Sequence, residues 1–68
     1  DLESEVRSKL EANIPQGKLT VKAKDGTVTI AGSVSNQDQL QKIEPLAKEI
    51  KGVQGVVVKA TVAPPKAN

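Results

Sequence analysis

The sequence predicts an α+β fold: a single small αββαβ domain with two helices packed on one face of a three-stranded mixed sheet. Three observations carry this. Apolar residues recur every fourth position at the start of the chain, a period-two hairpin pattern surrounds Asp25-Gly26, and a second helical stripe separates that hairpin from a final alternating segment. With 68 residues there is room for one layer of helix on one small sheet. Such a core only just offsets the entropy of ordering the chain.

Leu2, Val6, Leu10 and Ile14 line one side of the first helix, which Pro15 and Gly17 end. In "KLTVKAKDGTVTIAG" the period then changes to two, with Leu19, Val21 and Ala23 on one face before the turn and Val28, Ile30 and Gly32 on the same face after it. A two-residue Asp25-Gly26 turn fixes the register, pairing Lys24 with Thr27, Ala23 with Val28, Val21 with Ile30 and Leu19 with Gly32. Thr20, Lys22, Lys24, Thr27, Thr29 and Ala31 are left on the outer face. Neither glycine calls for a phosphate ligand: Gly26 serves the turn, and Gly32 leaves space for a helix to approach the sheet.

Ser35 and Asn36 are helix N-cap residues, and Asn36 with Gln39 at the third helical position makes a capping box. The second helix therefore starts here. Leu40, Ile43, Leu46, Ala47 and Ile50 share one face, and Gly52 supplies the stop. Pro45 removes the hydrogen bond to the Gln41 carbonyl, a change that costs about 3 kcal/mol in an ordinary helix interior. Because it lies opposite the apolar stripe, where water reaches the freed carbonyl, a bend is expected rather than a break into two short helices. In "GVQGVVVKATV" the period returns to two, with Val56, Val58, Ala60 and Val62 inward and Val57, Lys59 and Thr61 outward. A strand, helix, strand crossover makes the second and third strands parallel and the connection right-handed. Residues 1–62 thus form the domain, and the Pro-rich residues 63–68 read as linker or tail.

Charge is segregated along the chain. Glu3 with Arg7, Glu5 with Lys9, Asp38 with Lys42 and Glu44 with Lys48 stand at helical spacing of four and read as solvated pairs on helix exteriors. Of the remaining bases, Lys18, Lys22, Lys24, Lys51, Lys59 and Lys66 fall on the strands, their edges and the tail, so a mildly acidic helical layer backs a basic sheet. Lys22, Lys24 and Lys59 on the open face suit an anionic surface. Lysines also keep an exposed sheet soluble and discourage edge pairing, which is the commoner reason for them.

The absence of Cys, His, Met, Trp, Tyr and Phe excludes disulfides, thiolate or imidazole metal sites, and a histidine general base. Ser4, Ser8, Ser33 and Ser35 lack an activating partner at a plausible buried position, and the acids sit on helix exteriors rather than converging on a cleft. The reading is a non-enzyme with no cofactor and no metal. Nucleic acid is a poor partner too, since there is no aromatic ring for bases to stack on and the lysines are scattered. No apolar run is long enough to span a bilayer. Because the chain begins directly in a helical pattern and ends in "APPKAN", it reads as a domain of a longer protein.

A helix, then "LTVKAKDGTVTIAGSVSN", a second helix, and "KGVQGVVVKATV" together resemble the BON domain, the module named for bacterial osmotically inducible and nodulation proteins. The resemblance runs from about Leu2 to Val62. It is carried most specifically by Gly26, Gly32 and Val34 in "DGTVTIAGSV" and by Gly52, Val53 and Val56 in "GVQGV". Val58, where the family often has Asn, and Pro45 depart from its pattern. The resemblance implies residence in the periplasm or cell envelope, flanking domains in a parent protein, and binding of anionic phospholipid surfaces, for which Lys22, Lys24 and Lys59 are the candidates. Two alternatives stay open: an adapter or spacer module using Ala31 and Val57 as contact residues, and binding of potassium or another small ion.

Overall fold

The fold is built on a hairpin whose register was set by two residues. The computed structural model describes residues 1–63. Strand β1, Lys18–Lys24, and strand β2, Thr27–Val34, pair antiparallel with Lys24 opposite Thr27, Ala23 opposite Val28, Val21 opposite Ile30 and Leu19 opposite Gly32, as the sequence predicts. Asp25 (φ 53°) and Gly26 (φ 81°) both adopt the left-handed conformation that a tight two-residue hairpin requires. The Gly26 carbonyl also accepts hydrogen bonds from the Gln54 and Gly55 amides, at 2.7 and 3.3 Å. The turn is thereby tied to the start of the next strand.

Helix α1 covers Leu2–Asn13. Asp1 caps it, its carboxylate accepting from the Ser4 amide at 2.8 Å, which compensates one of the unpaired N–H groups of the first turn. Helix α2 covers Gln37–Lys48 as one unbroken helix through Pro45, which is exposed. The two-helix alternative is therefore excluded. Asn36 accepts from the Gln39 amide at 2.9 Å, and the Gln39 side chain accepts in return from the Ser35 amide at 3.0 Å. The capping box forms, with its return bond one residue earlier than in the usual pattern. The helix closes two residues before Ile50: Glu49 and Ile50 donate to the Leu46 and Ala47 carbonyls in tighter i to i+3 bonds, and Gly52 (φ 102°) turns the chain.

The last strand is divided. Strands β3, Gly55–Val58, and β4, Thr61–Val62, both run parallel to β2, and Ile30 opposite Val58 and Ser33 opposite Thr61 keep one offset of 28 positions. They are two pieces of one column beside β2, interrupted at Lys59-Ala60. The interruption lies level with Ala31-Gly32, where Gly32 (φ 119°) twists the central strand out of regular geometry. The expected role of Gly32 in helix packing is corrected by its surroundings. A Cβ there would lie 2.0 Å from the Lys18 carbonyl oxygen, so the close approach is to the backbone of β1 and not to a helix.

Both helices cover the same face of the sheet. Val6, Leu10 and Ile14 from the first helical segment, Ile43 and Ala47 from α2, and Val21, Val28, Ile30, Val34 and Ala60 from the sheet form a wholly aliphatic core. Val62, expected to point into it, is 36% exposed because it ends the edge strand. Of the four anticipated helical ion pairs only Glu44–Lys48 forms, at 3.0 Å. Lys9 instead reaches Glu49 and bridges α1 to α2, while the Glu3 carboxylate lies 3.4 Å from the Ala23 amide at the outer edge of β1. Tertiary contacts thus displace local pairs, which are worth only a few tenths of a kcal/mol each. Residues 64–68 of the expected tail lie outside the described residues.

Two stability predictions follow from these backbone features. Gly32→Ala and Gly52→Ala share a strained positive φ, worth about 1–3 kcal/mol, but only Gly32→Ala adds a backbone clash, since the Cβ of Gly52→Ala would meet only Leu2 Cδ1 at 3.6 Å. Thermal melts should therefore rank Gly32→Ala well below Gly52→Ala; equal losses would contradict this account of Gly32. Pro45→Ala restores a backbone donor on an exposed helix face and should raise the melting temperature, corresponding to about 2–2.5 kcal/mol of stability after the added freedom of the unfolded chain is subtracted. A fall in melting temperature would show that the proline fits this helix without cost.

Candidate functional site

With both helices on one side, the other face of the sheet is open, and strand alternation decides what stands on it. Lys18, Thr20, Lys22 and Lys24 project from β1; Thr27, Thr29, Ala31 and Ser33 from β2; and Val57, Lys59 and Thr61 from the β3–β4 column. Four of these side chains are lysines and none is acidic. Asp25, in the hairpin turn, is the nearest acid in sequence.

The register places Lys22 beside Thr29 and Thr29 beside Val57, while Lys24 sits beside Thr27. Lys59 lies at the interruption between β3 and β4, its amide donating to the Ile30 carbonyl at 2.7 Å, which sets its side chain next to Ala31. Lys22, Lys24 and Lys59 are all exposed, and among the described residues no carboxylate lies within ion-pair distance of them. Lys22 and Lys59 are two strand spacings and one outward step apart, about 12 Å between Cα atoms by standard sheet dimensions. That exceeds the screening length of about 8 Å at physiological ionic strength, so the lysines act as a diffuse positive field and not as a chelating pocket.

A groove at the turn end of this face is lined by Lys22, Ala23, Lys24, Asp25, Thr27 and Thr29. Threonine hydroxyls beside lysine ammonium groups supply hydrogen-bond donors for anionic oxygen. Of the two apolar contact candidates, Val57 is 42% exposed, but Ala31 is half-buried in the central strand. Lys18 joins the open face without having been singled out. Its signal was present in the sequence, since it continues the Thr20, Lys22, Lys24 alternation by one step.

The glycine and valine motif positions have structural explanations close at hand. Gly26 and Gly52 take positive φ, and Gly32 meets the Lys18 carbonyl. Val53 and Val56 pack partly buried against the core. Of these five only Gly26 borders a surface groove, beside Leu2, Glu3 and Ala23, and among the described residues no group of three or more acidic side chains is arranged to hold a metal ion. Among the described residues no helix is long and apolar enough to cross a membrane.

Comparison with known proteins places this arrangement. The family model for the BON domain matches residues 1–64. Osmotically-inducible protein Y of Escherichia coli (strain K12) is 36% identical over 55 residues, which cover 78% of this chain and 27% of that protein. In solved structures, CdsD, a structural protein of the type III secretion system of Chlamydia trachomatis, superposes with a TM-score of 0.67 at 20% identity, covering 94% of this chain and 33% of the other. A structure of the CdsD C-terminal domain gives a TM-score of 0.65 at 21% identity, over 91% of this chain and 34% of that one. The chain thus spans about a quarter of its curated relative's length and a third of these structures. Its αββαβ order and matched span establish that the chain belongs to the BON domain family.

Proposed function

We propose that this domain is a non-catalytic module of the bacterial cell envelope that lies sheet-down on anionic phospholipid surfaces. The observation that carries the reading is the open sheet face, with Lys18, Lys22, Lys24 and Lys59 projecting from it and no acidic side chain among its outward residues. The acidic helical layer is on the opposite side, so the charge asymmetry orients the domain as well as attracting it. Family membership supports the module reading. The relatives are an osmotically inducible protein and a structural component of a secretion system, and neither name describes an enzyme.

The physics limits how tightly one domain binds. Each lysine near an anionic surface contributes about 1 kcal/mol, and there is no Trp or Tyr to anchor at the interface. Binding is therefore weak, electrostatic and dependent on neighbours for valency. In cosedimentation, vesicles rich in anionic phospholipid should carry the domain down at low salt, and raising the salt should release it. Lys22→Glu with Lys24→Glu should abolish sedimentation without unfolding the domain, as both side chains are exposed. Equal recovery with zwitterionic and anionic vesicles would rule the reading out.

A further inference from the structure

The two edges of the sheet differ. The β1 edge carries Lys18, Lys22 and Lys24 on its outward face, and the Glu3 carboxylate approaches its Ala23 amide. Lysines and a carboxylate on an edge are the usual defences against pairing with another strand. The β3–β4 edge has one lysine, Lys59, and it carries both of the exposed large apolar side chains among the described residues, Val57 and Val62. Among the described residues nothing pairs with its outer side.

Strand alternation identifies which backbone groups are free. The Lys59 amide donates inward to the Ile30 carbonyl and the Ala63 amide to the Val34 carbonyl. Because the offset from β2 is the same on both sides of the interruption at Lys59-Ala60, the odd positions face β2 throughout, and the N–H and C=O groups of Val56, Val58 and Ala60 point away from the sheet. An antiparallel copy of the same strand, with Val58 opposite Val58 across a two-fold axis, sets Val56 opposite Ala60, so that free groups meet free groups. The same register places Val57 beside Lys59 of the second copy, where the lysine stem covers the valine and the two Lys59 ammonium groups are kept from facing each other.

We infer that the β3–β4 edge is a self-pairing interface, through which two copies of this chain join antiparallel into one continuous sheet. The occupant is a second copy because the edge is complementary to itself in hydrogen bonding and in the Val57–Lys59 pair. The guarded β1 edge stops the sheet from growing further, so the assembly closes as a two-fold dimer. A two-fold axis normal to the sheet leaves both open faces on one side, which doubles the lysine field proposed above. The pairing itself does not depend on lipid.

Amide hydrogen exchange and sedimentation without vesicles test it separately from the membrane reading. As protein concentration rises, the Val56, Val58 and Ala60 amides should gain protection, by about tenfold or more where the dimer dominates. The Val21 and Ala23 amides at the other edge should not change. Val57→Glu puts a carboxylate beside the partner's Lys59 and should strengthen the dimer, whereas Val57→Lys should dissolve it. Loss of apolar contact alone would weaken both. Val58→Pro removes an outward donor and should leave a monomer in which the Lys59 amide stays protected. A wild-type chain that sediments as a monomer at all concentrations, with Val56, Val58 and Ala60 exchanging freely, or Val57→Glu and Val57→Lys shifting association in the same direction, would overturn the proposal.

Discussion

Backbone pairing on both sides of β2 constrains everything else in this domain. β2 holds β1 antiparallel along one edge and the β3–β4 column parallel along the other, while Val28, Ile30 and Val34 on its inner face are almost completely buried. A one-residue slip on either side would turn an entire apolar set toward water. The register is instead fixed twice: by the Asp25-Gly26 turn on one side, and by the Gly26 carbonyl gathering the Gln54 and Gly55 amides on the other. The open face, and hence any surface the lysines meet, inherits its geometry from these two restraints.

How much of this could be read from the sequence depends on whether the determining interaction was local. The hairpin register was legible because a two-residue turn leaves no freedom in the pairing, and the start of α2 was legible because its cap is a contact of three residues. Helical spacing pairs Lys9 with Glu5, one turn away, but Lys9 bonds to Glu49 at the C-terminal cap of the other helix, a partner that only tertiary packing brings near. Gly32 was recognised as special for an incomplete reason. Its positive φ and its approach to the Lys18 carbonyl depend on two strands at once, and the break at Lys59-Ala60, level with it, is likewise something that alternation alone does not reveal. On the open face Lys22, Lys24 and Lys59 followed from parity, whereas the partial burial of Ala31 follows from its place in the central strand.

An all-aliphatic core gives this domain little chemistry of its own. There is no aromatic ring, thiol or imidazole in the chain, and the groups that its open face and edge present are lysine ammonium groups, threonine hydroxyls, Val57 and backbone. The fold separates charge from backbone: lysine ammonium groups occupy a plane, and unpaired peptide groups occupy the edge beside it. A small module with such a division suits repeated or tethered use, where weak individual contacts add through effective concentration.

The offset of 28 positions between β2 and its parallel neighbours also shapes how the chain finds its fold. A two-residue hairpin closes on the microsecond scale with little entropy lost to its loop, but joining β3 and β4 to β2 must enclose α2, a far larger loop. The hairpin therefore comes early and the outer column late. Its docking completes the core by bringing Ala60 against it. The pairing that closes the larger loop carries the larger entropic cost, so the β3–β4 column relies more than the hairpin on the apolar burial that its docking completes.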